Sequence, residues 1–419
     1  AAMIPELLVP TLAQFDQYVE TDYVAVDLDD DDIDDVCDSG SFLSESIEIS
    51  KWTTSIDSDG FAGRRGIETI HIPSSVTMIG HRAFKGCSRL TTVDFGNGTT
   101  LSTIEKLTFA NCVALTSINI PNSVTSIEDK AFISCAGLTS IVIPKGVTAL
   151  GAKVFSACVN LSSITLPTTL KTIGACAFCS CTALTSLKLP NSITSIGMQA
   201  FDSCHGLTSI KLPSSISVIN EVTFLNCKSL TSIQLPRALT SIDAYVFWKC
   251  ALLTRVTIPS RVESIGAFAF TACVNLSSVQ IPATTTSIGQ SAFSQCRSLT
   301  TIHLPSSMTT IVSGVFRDCV LLTHVTLPSS ITSIGVGAFQ GCTNLLSITI
   351  PDTITAIGES AFDSCSNLTT IDVPESVMVI GACAFKACVF LTNVRLRCTT
   401  VSMGESCFYS CVSLSSITT

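Results

Sequence analysis

Residues 200–222 read AFDSCHGLTSIKLPSSISVINEV, and this pattern recurs along the chain with few changes. One phenylalanine marks each copy at a constant spacing of 23, at Phe109, Phe132, Phe155, Phe178, Phe201, Phe224, Phe247, Phe270, Phe293, Phe316, Phe339, Phe362, Phe385 and Phe408. Phe61 and Phe84 extend the series towards the N-terminus, with one longer step of 25 after Phe84. Such a period predicts a solenoid, because a single unit can bury its apolar side only against its neighbours.

Each segment of the unit predicts a local structure. The L-x-x-I-x-L segment 207–212 has the spacing of a short strand that faces a core on one side. Pro213 ends this strand, because proline cannot donate a ladder hydrogen bond. Segment 216–219 predicts a second short strand, and a glycine such as Gly197 is expected to turn the chain. Segment 200–204 then predicts a helical or 3₁₀ turn with one buried side.

The consensus A-F-x-x-C-x-x-L-T-S-I-x-[LI]-P-x-S-[VI]-T-S-I-G-x-x closely resembles the BspA-like leucine-rich repeat, the 23-residue treponemal-type class. The resemblance covers residues 43–419, about 16 repeats. It implies a repeat solenoid, a leucine-rich-repeat horseshoe or superhelix. A parallel β-sheet is expected on the concave wall, with second short strands and short helical or 3₁₀ turns on the other walls. The family is associated with adhesion at cell surfaces, and it supplies no catalytic residues and no cofactor.

Charge separates residues 1–42 from this array. The whole chain has a net charge of −9, but residues 1–60 hold sixteen acids and one base, and the remainder carries +6. The block 27–38, DLDDDDIDDVCD, is typical of a solvated tail or cap, although its carboxylates could also bind calcium. Residues 1–42 are thus an acidic segment and a candidate cap. The basic remainder has no Lys/Arg run with interleaved aromatics, so no nucleic-acid partner is expected.

Membrane insertion and the chain ends give weaker signals. Ser, Thr or a charge interrupts every apolar run before it reaches the roughly 18 residues of a spanning helix, so no transmembrane segment is expected. The start, AAMIPELLVP, has no basic stretch before an apolar core, as a secretory signal would. The chain stops within a strand of its last unit, which would expose a strand edge. We therefore expect a fragment truncated at its C-terminus, a trimmed form, or a protomer with end-to-end assembly contacts.

Cysteine is used mainly as a repeat position. Fifteen of the twenty-one cysteines follow the phenylalanine by three residues, at Cys87, Cys112, Cys135, Cys158, Cys181, Cys204, Cys227, Cys250, Cys273, Cys296, Cys319, Cys342, Cys365, Cys388 and Cys411. Side chains in register on stacked coils lie about 4.8 Å apart, longer than the Cβ separation of a disulfide. This predicts a reduced structural ladder. Cys176 and Cys179 form a C-x-x-C pair with a redox or metal alternative. Cys407 is expected in the core, and Cys37, Cys383 and Cys398 have no obvious partner.

Two outward columns of the first strand are candidates for binding. The third residue of L-x-x-I-x-L is nearly constant Ser or Thr, whereas the fifth varies widely. Such variation is typical of a binding face, although exposed strand positions can also simply drift. The candidate ligand-binding residues are Lys188, Lys211, Gln234, Arg255, Gln280, His303 and His324. Their positive bias favours an acidic or carboxylate-bearing partner. His303 and His324 could share a metal on adjacent coils, or remain unlinked imidazoles.

Hydroxyl columns and sequons complete the candidate sites. The second strands repeat V-T-S-I, and this threonine column could match ice or a polysaccharide lattice, or simply suit exposed strand positions. Glu263, Lys171 and Met378 interrupt the column. Four sequons offer candidate glycosylation sites, at Asn97, Asn160, Asn275 and Asn367.

These observations predict a non-enzymatic recognition or adhesion module that binds protein or glycan partners along the concave face. The expected location is the cell surface or the extracellular space. The alternative is a cytoplasmic protein-interaction scaffold, which reduced cysteines and the missing signal sequence favour. Lattice binding through the hydroxyl columns is a third hypothesis. No constellation of unlike polar residues indicates an enzyme.

Overall fold

The computed structural model describes residues 44–398 and 401–418. The acidic block 27–38, including Cys37, lies outside the described residues. From Ser44 onward the chain is a parallel β-solenoid of about 16 coils, and each coil contributes two short strands to two separate walls. The repeat fold expected from the 23-residue period is therefore confirmed.

The first strand of each coil belongs to the first-strand wall. These strands are β1 (Glu45–Glu48), β3 (Ile67–Ile72), β5 (Thr92–Phe95), β7 (Ser117–Ile118), β9 (Ser140–Val142), β11 (Ser163–Thr165), β13 (Ser186–Leu187), β15 (Ser209–Lys211), β17 (Ser232–Gln234), β19 (Arg255–Thr257), β21 (Ser278–Gln280), β23 (Thr301–His303), β25 (His324–Thr326), β27 (Ser347–Ile348), β29 (Thr370–Val373), β31 (Asn393–Leu396) and β33 (Ser416–Thr418).

The second strand of each coil belongs to the second-strand wall. These strands are β2 (Ser55–Ile56), β4 (Met78–Ile79), β6 (Thr103–Ile104), β8 (Ser126–Ile127), β10 (Ala149–Leu150), β12 (Thr172–Ile173), β14 (Ser195–Ile196), β16 (Val218–Ile219), β18 (Ser241–Ile242), β20 (Ser264–Ile265), β22 (Ser287–Ile288), β24 (Thr310–Ile311), β26 (Ser333–Ile334), β28 (Ala356–Ile357), β30 (Val379–Ile380) and β32 (Ser402–Met403).

Register follows the sequence period. Strands pair in parallel with their counterparts one coil away, so that Lys211 lies opposite Gln234 and Ile219 opposite Ile242, each 23 residues on. In three-residue first strands such as β15 and β17, the middle residue points inwards and its two neighbours point outwards, as the alternation in the sequence predicts. A given repeat position therefore forms a straight column along the solenoid.

The third wall contains the phenylalanines that recur every 23 residues, which we call the ladder phenylalanines. Its backbone differs from the helical or 3₁₀ turn that the sequence predicts. The described residues contain no helix. Instead, Gln199 and Ser203, two residues before and after Phe201, both have φ of 56°. The Phe201 amide donates to the Thr223 carbonyl of the next coil (3.0 Å), and the Cys204 amide donates back to the Phe201 carbonyl (3.2 Å). The left-handed residues thus turn alternate amides along the solenoid axis, where they donate to carbonyls of the next coil. In a helix these amides would bond within their own coil.

The glycine that recurs in many repeats is explained by the close stacking of neighbouring coils more than by a turn of the chain. Gly197 does not have a positive φ, and a Cβ placed on it would lie 2.5 Å from the Ala175 backbone nitrogen of the preceding coil. Real Cβ atoms do not approach backbone so closely, so any larger residue would force the coils apart there.

The interior is one continuous core. The ladder phenylalanines stack face to face on neighbouring coils, with ring centroids 5.1 to 6.0 Å apart. Isoleucine and leucine from both strand walls close around them. Because neighbours share every apolar face, no coil buries its core alone.

Candidate binding face

The seven candidate binding residues are all exposed on the first-strand wall. Arg255 lies opposite Ser232 and Ser278 in the third-residue column. Gln280 lies opposite Thr257 in the fifth-residue column. His303 lies opposite Thr326 and His324 opposite Thr301, so the two imidazoles are diagonal neighbours and do not face each other.

A groove crosses this wall where the first strand turns into the following loop. Coils carrying β15, β17 and β19 line it, and we call it the basic groove. Its polar lining is Ser214, Ser232, Gln234, Arg237, Thr254, Arg255, Thr257, Ser260 and Arg261. Its apolar lining includes the half-buried Ala238 and Pro259, while Ile233, Leu235 and Ile258 beneath them belong to the core. A smaller groove adjoins it through Ile258 and Ser260 and adds Gln280 and His303. Four of the seven candidates therefore line grooves, whereas Lys188, Lys211 and His324 lie outside both linings.

Arg237 and Arg261 are groove residues that the sequence reasoning missed. They follow Pro236 and Pro259 by one and two residues, in the loop after the strand, and both are exposed. This loop lies outside the two outward columns of the first strand. The available signal was an arginine in the P-x-S segment of two consecutive coils, where most coils carry Ser, Thr or Asn.

Charge along the first-strand wall is distributed unevenly. We define the first-strand segment of a coil as the eleven residues that follow the ladder cysteine. In ten consecutive segments, from 113–123 to 320–330, there is no Asp or Glu. The same segments hold Lys145, Lys188, Lys211, Lys228, Arg237, Arg255, Arg261 and Arg297. These ten segments also contain no Phe, Tyr or Trp.

Carboxylates appear on this wall only towards its two ends, among the described coils, and several of them are paired there. Arg397 bonds Asp372 through Nε (3.0 Å) and Asp352 through Nη2 (3.1 Å). Near the other end, His71 Nδ1 lies 2.7 Å from Asp94 Oδ2. Within residues 113–330, no ion pair engages Lys188, Lys211, Arg237, Arg255 or Arg261. The middle of the wall therefore presents cations that the protein itself does not neutralise.

The fifteen ladder cysteines occupy a column inside the solenoid. Each thiol donates to the carbonyl of the phenylalanine one coil before, as Cys204 Sγ does to the Phe178 oxygen (3.1 Å). The twenty described cysteines are all free thiols. Burial raises the pKa of Cys135 to about 12. The column therefore suits a small side chain that can both pack and donate one hydrogen bond.

The C-x-x-C pair lies on the outer side of the third wall, where Asp202 is 8% exposed. Burial raises the pKa of Asp202 to about 6. Ser203 Oγ donates to its Oδ1 (2.9 Å), and Cys179 Sγ lies 3.9 Å from its Oδ2. Cys176 Sγ instead lies 3.5 Å from the Gln199 Oε1 oxygen. The sequence reasoning did not find this buried carboxyl. Its column varies from Ala62 to Arg317 and includes Asp363, which is also 8% exposed.

No metal-binding cluster forms in the part of the chain that the structure describes. Among residues 44–398 and 401–418, no three His, Cys, Asp or Glu side chains are placed to hold an ion. The same part of the chain has no helix of the length and apolarity that a membrane crossing requires.

The hydroxyl columns bond within the scaffold. On the second-strand wall, Thr125 Oγ1 donates to the Ser102 carbonyl and Thr240 Oγ1 to the Ser217 carbonyl, at 3.3 and 3.2 Å. On the first-strand wall, Thr208 Oγ1 donates in the same way to the Thr185 carbonyl (3.1 Å). These hydroxyl protons satisfy backbone carbonyls of the previous coil, which gives the columns a structural reason.

The four sequon asparagines differ in their surroundings. Asn97, Asn160 and Asn275 are exposed. Asn367 is half-buried, and its Nδ2 donates to Asn344 Oδ1 on the neighbouring coil (3.2 Å). A glycan on Asn367 would therefore remove one donor of an existing contact, whereas the other three positions are open.

Comparisons with known proteins agree with this geometry. A family model described as the BspA type leucine rich repeat region matches residues 32–162, 148–274, 240–369 and 310–419. The chain belongs to the BspA-type leucine-rich repeat family. A leucine-rich repeat protein from Bacteroides ovatus is 27% identical, with 89% of this chain and 86% of that one covered and a TM-score of 0.59.

A second solved structure is a leucine rich cell surface protein from Faecalibacterium prausnitzii. It is 29% identical over 73% of this BspA-type chain and 87% of its own length, with a TM-score of 0.52. No curated protein matches the chain.

Proposed function

We propose that this BspA-type chain is a non-enzymatic recognition module of the cell surface that binds protein partners along the first-strand wall. The observation that carries the proposal is the run of ten segments without a carboxylate, crossed by the basic groove. A wall that only covered the core would have no reason to keep unpaired cations together. Positive potential of this kind steers and selects partners of opposite charge.

The thiol ladder is compatible with an oxidising location. Thiolates, not thiols, undergo oxidation and exchange. Burial raises the pKa of ladder thiols such as Cys135, whereas a hydrogen bond with Cys388 lowers the pKa of Cys411, the last of the column, to about 7. Free cysteines therefore do not by themselves favour the cytoplasmic scaffold. The Faecalibacterium protein described as a cell surface protein supports the same location for this chain.

The proposal is tested with the full chain on a panel of immobilised extracellular-matrix proteins. The test variant is Lys211→Ser with Arg255→Ser. The matched control is Lys106→Ser with Lys171→Ser, which removes two exposed positive charges outside the first-strand wall. We expect at least one matrix protein to bind the wild type and the control, and to lose most binding to the test variant. Equal binding by the two variants, or no binding across the panel, would overturn the proposal.

A further inference from the structure

The basic groove combines two kinds of surface that point to one class of ligand. Three guanidinium groups, from Arg237, Arg255 and Arg261, line it beside the half-buried apolar residues Ala238 and Pro259. Arginine binds carboxylates through two parallel N–H donors, which makes it the preferred partner of an acidic side chain. An apolar lining next to the arginines requires apolar groups on the same ligand.

The absence of aromatic residues from the ten first-strand segments makes further classes of ligand unfavourable. Neutral sugars and unstacked bases are usually held on aromatic side chains, and the ten first-strand segments have none. A uniformly sulfated chain would satisfy the arginines but would leave the apolar lining against charged groups. A polypeptide can present carboxylates on one side and apolar side chains on the other, because side chains alternate along an extended strand.

The spacing of the coils sets the length of that peptide. The two adjoining grooves extend from the coil of β15 to the coil of β23, which is four steps of about 4.8 Å, or roughly 19 Å. An extended chain rises about 3.3 Å per residue, so about six residues span this distance. Half of them, about three, face one side. The three arginines lie on two adjacent coils, those of β17 and β19, so they contact the middle part of that side.

Resting on the proposed function, we propose that the basic groove binds an extended acidic segment of a partner protein in which acidic and apolar residues alternate. Arg237, Arg255 and Arg261 receive the carboxylates, and Ala238 and Pro259 receive the apolar side chains. Gln234 and Gln280 offer amide groups to the peptide backbone, since each amide can both donate and accept.

Fluorescence anisotropy of the full chain tests this proposal with a labelled ten-residue peptide that alternates Glu with Val, Thr and Leu. A second peptide has Gln in place of every Glu, and a sulfated oligosaccharide of equal charge serves as the third probe. We expect the Glu peptide to bind at least about tenfold more tightly than either, and salt to weaken it as the Debye length shrinks. Arg237→Ser with Arg255→Ser and Arg261→Ser should lower its affinity at least about tenfold.

The control keeps the wall but changes its opposite surface. Lys106→Ser with Lys171→Ser should bind the Glu peptide as the wild type does. Equal binding of the Gln peptide, preference for the sulfated oligosaccharide, or full affinity in the arginine variant would overturn the inference. If the matrix panel still depends on Lys211 and Arg255 while the peptide fails, the recognition proposal stands and only the ligand class is wrong.

Discussion

The inward and outward sides of the same short strands follow different rules. On β15, Ile210 points into the core and has an apolar counterpart on every coil, whereas Lys211 points out and its counterparts change charge, size and polarity. Inward positions are held by stacked neighbours on both sides, so one residue type fits each column. Outward positions carry no such constraint. Substitutions at inward positions should therefore lower the free energy of unfolding, and substitutions at outward positions should lower the affinity for a partner.

Alkaline pH should have the largest effect, because it acts at once on the fully buried thiols of the inward cysteine column, such as Cys112, Cys135 and Cys158. The folded pKa of Cys135 is about 12, above its ordinary value of 9.0. The stabilisation is complete below pH 9 and is lost as the pH rises towards 12, because only the unfolded thiol ionises in that range. In that range, each buried thiol lowers the free energy of unfolding by about 1.4 kcal/mol per pH unit. We expect the Tm, measured with reductant, to fall steeply above pH 9.

A substitution at one ladder position distinguishes the effect of a thiol from that of other groups that titrate at high pH. Cys135→Ser keeps a donor towards the Phe109 carbonyl but has no thiol to ionise. Its Tm should fall less steeply between pH 9 and 12 than that of the wild type. Identical slopes would contradict a role for the thiol.

Removing one ladder ring should have the next largest effect. The Phe201 ring is fully buried, with the Phe178 and Phe224 centroids 5.5 and 5.4 Å away. Phe201→Ala should therefore lower the free energy of unfolding by about 3–5 kcal/mol, through lost burial and a cavity. Chemical denaturation measures this change, with Phe201→Leu as a smaller-cavity control. A cost below about 1 kcal/mol for the alanine variant would mean that the coils collapse around the gap.

Asp202 belongs to neither side of the strands, since it is a buried acid on the third wall, in a column that also holds Arg317 and the equally buried Asp363. Its pKa of about 6 lies above the ordinary 3.8, so its stabilisation is complete below pH 3.8 and is lost as the pH rises through 6. Asp202→Asn should therefore raise the unfolding free energy at pH 7 by about 2 kcal/mol and have little effect near pH 4. Tm measurements at both pH values check this. An equal change at both would assign the effect to the Ser203 contact instead of to charge.

The sequence predicts the inward side well and the outward side poorly, for physical reasons. The period of 23 places Phe201, Cys204 and Ile210 in columns without any knowledge of coordinates, because a shared core demands repetition. The left-handed backbone at Gln199 and Ser203 leaves no such trace, since neither position requires glycine. Arg237 and Arg261 are separated in sequence by a whole coil, and only the stacking of loops shows that they line one groove.

The smallest effect on stability is expected on the outward side. Lys211→Ser with Arg255→Ser changes exposed side chains that form no ion pair among the described residues, so the unfolding free energy should change by less than about 0.5 kcal/mol. Denaturation of this variant beside the wild type therefore decides how its lost binding is interpreted. An unchanged midpoint with lost binding assigns these cations to recognition. A lowered midpoint would show that the outward column also supports the fold, and the distinction between the two sides of the strand would fail.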